Sequence, residues 1–107
     1  MSEVSRFPHP TRDEIELTEV LFALSDPARL ALVRELSSGP LDMVDCSALG
    51  PDRPKSTRSH QVKVLREAGV IISELQGRNR RLTLRHDDLD ARFPGLLLAV
   101  LGDPAAR

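Results

Sequence analysis

The order of two adjacent segments constrains this chain more than any other feature. From Arg53 to Gly69 the front is polar and cationic (Lys55, Ser56, Thr57, Arg58, Ser59, His60, Gln61), and the rear is apolar at helical spacing (Val62, Val64, Leu65, Ala68). Pro54 suits a first helical turn and Gly69 suits the stop. Such a helix anchors its rear in a core and pushes its N-terminal turns outward, the layout of a helix that reads base edges in the DNA major groove. By itself the segment also fits an ordinary amphipathic surface helix. The residues that follow narrow the choice. Val70–Leu75 and Arg81–Arg85 are β-branched or alternate apolar with polar, and the centre between them, Gln76–Arg80, holds Gly77 and Asn79. That pattern predicts a β-hairpin. Its tip carries Arg78, Arg80 and Arg81 with no acid beside them in sequence. Helix then basic hairpin is the order of a winged helix-turn-helix. The expected fold class is mainly α with a small β-hairpin, completed by a helical dimer interface.

The charge distribution points the same way, although the total does not. Net charge is −1, yet residues 1–52 hold four Lys/Arg against ten Asp/Glu, while residues 53–85 hold nine against two. Segregation this sharp gives one face a positive field and leaves the remainder acidic.

These segments resemble a known family. Ser56-Thr-Arg-Ser-His-Gln-Val-Lys-Val-Leu-Arg-Glu-Ala-Gly-Val70 is similar to the recognition-helix signature of ArsR-type (ArsR/SmtB-like) bacterial winged-helix transcriptional regulators. Ala23-Leu-Ser-Asp-Pro-Ala-Arg-Leu-Ala-Leu-Val-Arg-Glu-Leu36 resembles their opening run, and Gly77-Arg-Asn-Arg-Arg-Leu82 their wing. The resemblance covers roughly residues 20 to 85, in the family's order and spacing. It implies that Lys55, Ser56, Ser59 and His60 approach bases or phosphates, with Thr57, Arg58 and Gln61 beside them on the early turns. Arg58 has the donors for a guanine and Gln61 the donor–acceptor pair for an adenine. Lys63, Arg66, Arg78, Arg80 and Arg81 are expected on phosphates, with the minor groove as an alternative for Arg78.

Taken in order, residues 1–10 read as an extended arm and 11–102 as one winged helix-turn-helix domain. Thr11 and Glu14 form a capping box for a helix to about Leu24, on which Leu17, Val20, Leu21 and Leu24 share a face while Ile15 and Phe22 lie off it. Ser25-Asp26-Pro27 starts a second helix, where Arg29 is expected with its head in water. A short helix is expected over Leu41–Leu49, with Leu41, Val44 and Ala48 inward. Asp52 is a candidate cap for the recognition helix at about 54–68. The wing spans about 70–85, a helical turn Asp87–Arg92, and the terminal helix about 94–101. Leu96, Leu97, Leu98, Val100 and Leu101 leave that last helix hardly any polar side, so a second protomer is expected to cover it. Ile15, Phe22, Leu96, Leu97, Val100 and Leu101 are the candidate dimer contacts.

A metal-responsive or thiol-responsive repressor of the same type is the alternative, because many ArsR-type proteins release DNA on binding metal. The family's Cys-x-Cys pair and its terminal-helix His/acid site both lack counterparts here. Cys46 stands alone, and soft metals need several Cys or His ligands. No metal and no cofactor is expected, and the effector is left open. A winged helix used only for protein contact is a further alternative. The longest apolar run, Leu96–Leu101, is far short of the ~20 residues of a membrane span. With one cysteine and no signal-peptide pattern, the sequence reads as cytoplasmic. No nucleophile–base arrangement, paired-carboxylate cleft or phosphate loop suggests an enzyme. The expected partners are double-stranded DNA and a second copy of the chain.

Overall fold

The computed structural model describes residues 9–50 and 52–102. Helices α1 (Leu17–Leu24) and α2 (Pro27–Leu36) come first, then a short strand β1 (Leu41–Asp42). Helix α3 (Lys55–Glu67) leads directly into strands β2 (Ile71–Gln76) and β3 (Asn79–Leu84). Helices α4 (His86–Arg92) and α5 (Leu96–Leu101) close the order. The sheet is antiparallel in the order β1-β3-β2, with Leu82 of β3 facing Leu41 on one side and Ser73 on the other. This is a winged helix-turn-helix.

Local chemistry explains most of the boundaries. Asp26 caps α2, accepting hydrogen bonds from Ala28 N and Arg29 N at 3.0 Å each, with Pro27 in the first turn. Helix α3 ends in a Schellman motif: Gly69 N–H donates to Arg66 O, and Val70 N–H donates to Leu65 O. Gly69 sits at φ +87°, and a Cβ there would lie 2.6 Å from Ile15 Cγ1, so the position excludes any side chain twice over. The hairpin turns over Gly77 and Arg78 with positive φ only at Gly77, the place where a type II′ turn takes glycine.

Several expectations are corrected. The helix predicted from Thr11 to Leu24 is broken. The Thr11 backbone N–H does donate to Glu14 Oε1 at 2.8 Å, but only a 3-10 turn, Arg12–Glu14, follows. Ile15 and Glu16 are extended, and α1 starts afresh at Leu17. That break turns Ile15 into the core. On α1, Val20, Ala23 and Leu24 are buried while Leu17, Leu21 and Phe22 are exposed. Leu41–Leu49 is not an α-helix. Leu41 and Asp42 pair with β3, and two 3-10 turns follow, Met43–Asp45 and Ser47–Leu49, separated by extended Cys46. Asp42, Val44, Asp45 and Ser47 are weak helix formers, so strand pairing wins over propensity. Val44 is exposed, and Cys46 and Leu49 turn inward instead. Glu35 of α2 secures the second turn, accepting from Ser47 Oγ at 2.7 Å and Ala48 N at 2.9 Å. Pro54, not Asp52, is the N-cap of α3.

The core is aliphatic and draws on every helix. It includes Leu32, Val33 and Leu36 of α2, Val62 and Leu65 of α3, Ile71, Leu82 and Leu84 of the sheet, and Leu89 of α4. Leu97 and Leu101 of α5 join it, and with Ile15 they are covered within the protomer, so none of the three is an available dimer contact. Leu96 and Val100 are half-buried against the core. Asp88 holds the N-terminal segment to α4, accepting from Arg12 Nε at 2.7 Å and Arg85 Nε at 2.9 Å. Burial pushes its carboxyl up, but the two arginine hydrogen bonds outweigh that and leave it below the usual range. Of the expected arm, residues 1–8 lie outside the described residues. His9 Nε2 accepts from Ser73 N on β2 at 3.1 Å, and Arg85 Nη1 donates to Pro10 O. No described helix is long and apolar enough to cross a membrane.

Candidate nucleic-acid interface

Helix α3 divides as its sequence suggests. Val62, Leu65 and the following Ala68 are buried, while Lys55, Ser56, Thr57, Ser59, His60 and Lys63 are exposed. Arg58 is half-buried, and its Nε has no hydrogen-bond partner among the described residues. The surface offered by these early turns therefore consists of hydroxyls, an imidazole and cationic donors. That is the chemistry that pairs with base edges and phosphate oxygens.

Gln61 does not belong to that surface. It is only 9 % exposed, and both ends of its amide are used internally. Its Oε1 accepts from Arg29 Nη1 at 2.8 Å, and its Nε2 donates to Asp26 Oδ2 at 3.2 Å. The expectation that it pairs with adenine is corrected: the side chain is buried and its amide is engaged inward, with Arg29 and Asp26. Arg29 is corrected with it. Rather than holding its head in water it is buried, with Nε donating to Ala23 O at 2.6 Å and Nη2 to Phe22 O at 3.3 Å. A sequence signal for this existed. Arg29 stands three, four and seven residues before Leu32, Val33 and Leu36, on the core face of α2. The Asp26 carboxyl lies below the ordinary range. The backbone hydrogen bond from Arg29 is the largest cause, exceeding the opposing effect of burial, and the Arg29 charge adds to it.

On the wing, Arg78 is exposed at the turn. Arg80 and Arg81 are half-buried, and both have partners the sequence did not suggest. Arg80 Nη1 donates to the buried Ser73 Oγ at 3.0 Å. Arg81 Nε lies 3.7 Å from Asp42 Oδ1, an acid brought alongside by the β1–β3 pairing. The picture of three uncompensated wing arginines is thus corrected for Arg81, which Asp42 faces. Arg66 is half-buried, 3.7 Å from Glu67 Oε2.

Cys46 is buried, and its thiol is pushed up to about 11, first by burial and then by Glu35, Asp45 and Asp42. A thiol held protonated at neutral pH is a poor nucleophile and a poor metal ligand. Among the described residues, no three His, Cys, Asp or Glu side chains gather as a metal site.

Comparison with known proteins agrees with this geometry. No protein-family model matches the chain. An uncharacterised HTH-type transcriptional regulator of Bacillus subtilis, YceK, is 33% identical over 81 residues, covering 74% of this chain and 80% of the relative. The HTH-type transcriptional regulator NmtR of Mycobacterium tuberculosis is 33% identical over 73 residues, covering 67% of this chain and 59% of its own length. Among solved structures, an ArsR family transcriptional regulator superposes with a TM-score of 0.63 at 27% identity, covering 71% of this chain and 82% of that one.

Proposed function

We propose that this chain, which belongs to the ArsR-type family of winged helix-turn-helix transcriptional regulators, is a homodimeric repressor that binds an inverted-repeat operator. The observation that carries the reading is the division of α3 into a buried apolar rear and an exposed polar front, followed by an exposed Arg78 on the hairpin. Arg58, Ser56, Ser59 and His60 then face bases, while Lys55, Lys63 and Arg78 contact phosphates. A dimer clamped across a promoter blocks access to it, which is the repressor reading.

The apolar residues left on the surface support the dimer. Phe22 is 65% exposed on α1, beside the exposed Leu21, and Leu98 is 57% exposed on α5. Solitary exposed leucines are ordinary, but two helices each showing a large apolar side chain supply the surface a second protomer would cover. Replacing both by Glu (Phe22→Glu with Leu98→Glu) changes two exposed side chains and would place charge in the contact. Sedimentation is expected to find a folded monomer. A variant that still sediments as a dimer would move the interface elsewhere.

Selection of bound duplexes from a random DNA pool tests the operator. A two-fold dimer is expected to return an inverted repeat with half-sites roughly 34 Å apart, one helical turn. A single unrepeated site, or no enrichment, would contradict the proposal.

A further inference from the structure

We propose that Arg29 is a positioning residue for sequence reading: through Gln61 it clamps the front of α3 to the corner between α1 and α2. The inference rests on the DNA-reading role proposed above. A buried guanidinium is costly unless its donors are met, and here they are met by three groups from two elements other than its own helix. Two are carbonyls of the last turn of α1: Ala23 O, and Phe22 O, which also accepts from Ser25 N and Ser25 Oγ. The third is Gln61 Oε1, 32 residues away in sequence.

Gln61 is held from both sides. Its carbonyl oxygen meets the arginine, which has only donors, and its amide nitrogen meets the Asp26 carboxylate, which has only acceptors. The same Asp26 oxygen caps α2, so the clamp is built into the start of that helix. Gln61 is also the first buried residue along α3. All six residues before it, Lys55 to His60, are exposed or half-buried. The turns that would reach bases therefore project from this one fixed point, and successive residues step about 100° around the axis. Loss of the clamp leaves the apolar rear to hold the helix but frees the rotational setting of its front. The guanidinium also lies 5.4 Å from the centroid of the exposed Phe22 ring. The setting of α3 is thereby referred to the α1 face proposed to meet the second protomer.

Two variants of the full chain test this. Arg29→Lys keeps the charge but loses the planar fork, and one ammonium cannot hold all three acceptors in the same geometry. Gln61→Met keeps bulk and helix propensity but removes both hydrogen bonds. Affinity is measured on the selected operator and on a scrambled duplex, below the unfolding midpoint of each variant. Binding to scrambled DNA is expected to stay within about twofold of wild type, while the operator-over-scrambled ratio falls at least about tenfold. A purely structural role would lower the midpoint and leave the ratio where it was. An unchanged ratio in Gln61→Met overturns the proposal, including the case where Arg29→Lys fails to fold. Where wild type itself does not discriminate the two duplexes, the DNA-reading role fails and the clamp has nothing to position.

Discussion

Leu97→Glu is expected to unfold the protomer rather than only dissociate a dimer. Leu97 is 4% exposed in α5 and packs into the core built by the other helices. An unpaired carboxylate there costs several kcal/mol, on top of the lost apolar burial. Native stability is about 5–15 kcal/mol in total, so the variant is expected to lose most of its helical signal or to melt tens of degrees lower. Circular dichroism through a thermal or urea unfolding series checks this. A Leu97→Glu chain that folds with a near wild-type midpoint but sediments as a monomer would return Leu97 to the interface and contradict its place in the core.

The contrast between Leu97 and Leu98 marks where the sequence stops being informative. Leu96–Leu101 is apolar on every side, so composition alone cannot say which residues turn inward. The structure buries Leu97 and Leu101 and leaves Leu98 out. By contrast, the α3–hairpin unit was legible because its signals are local: a polar-to-apolar switch at helical period, a glycine stop at Gly69, and a glycine turn at Gly77. Elements defined by distant partners were not legible. Strand β1 exists because Leu41 and Asp42 find β3, some forty residues later, and the same pairing brings Asp42 to Arg81. Gln61 looked like a reading residue because it continues a polar run. Its burial depends on Arg29 and Asp26, more than thirty residues upstream. Arg29 was the recoverable case, an arginine on the core face of its helix. The charge segregation marks a region of the chain but does not say which arginines within it are engaged elsewhere, as Arg81 is by Asp42.

The second large effect is the dependence of DNA binding on salt. A protein neutralising 6–10 phosphates loses about 10³–10⁵ in affinity between 50 and 200 mM salt. Two protomers that each bring Lys55, Lys63 and Arg78 to the backbone fall at the lower end of that range. Base contacts respond differently, because they release few counterions and depend on the matching base. Arg78, exposed at the hairpin turn, and Arg58, half-buried on the early turns of α3, therefore make a discriminating pair.

The most direct measurement is the affinity of wild type, Arg58→Ala and Arg78→Ala for the selected operator and a scrambled duplex across a salt series. Arg58→Ala is expected to lose about 1–3 kcal/mol on the operator and little on the scrambled duplex. Arg78→Ala is expected to weaken both duplexes alike and to reduce the salt slope by about one per lost contact, so by roughly two in a dimer. If Arg78→Ala hurts only the operator, the wing reads sequence and the roles are reversed. If both variants match wild type on both duplexes at every salt concentration, the α3–hairpin face is not the DNA surface.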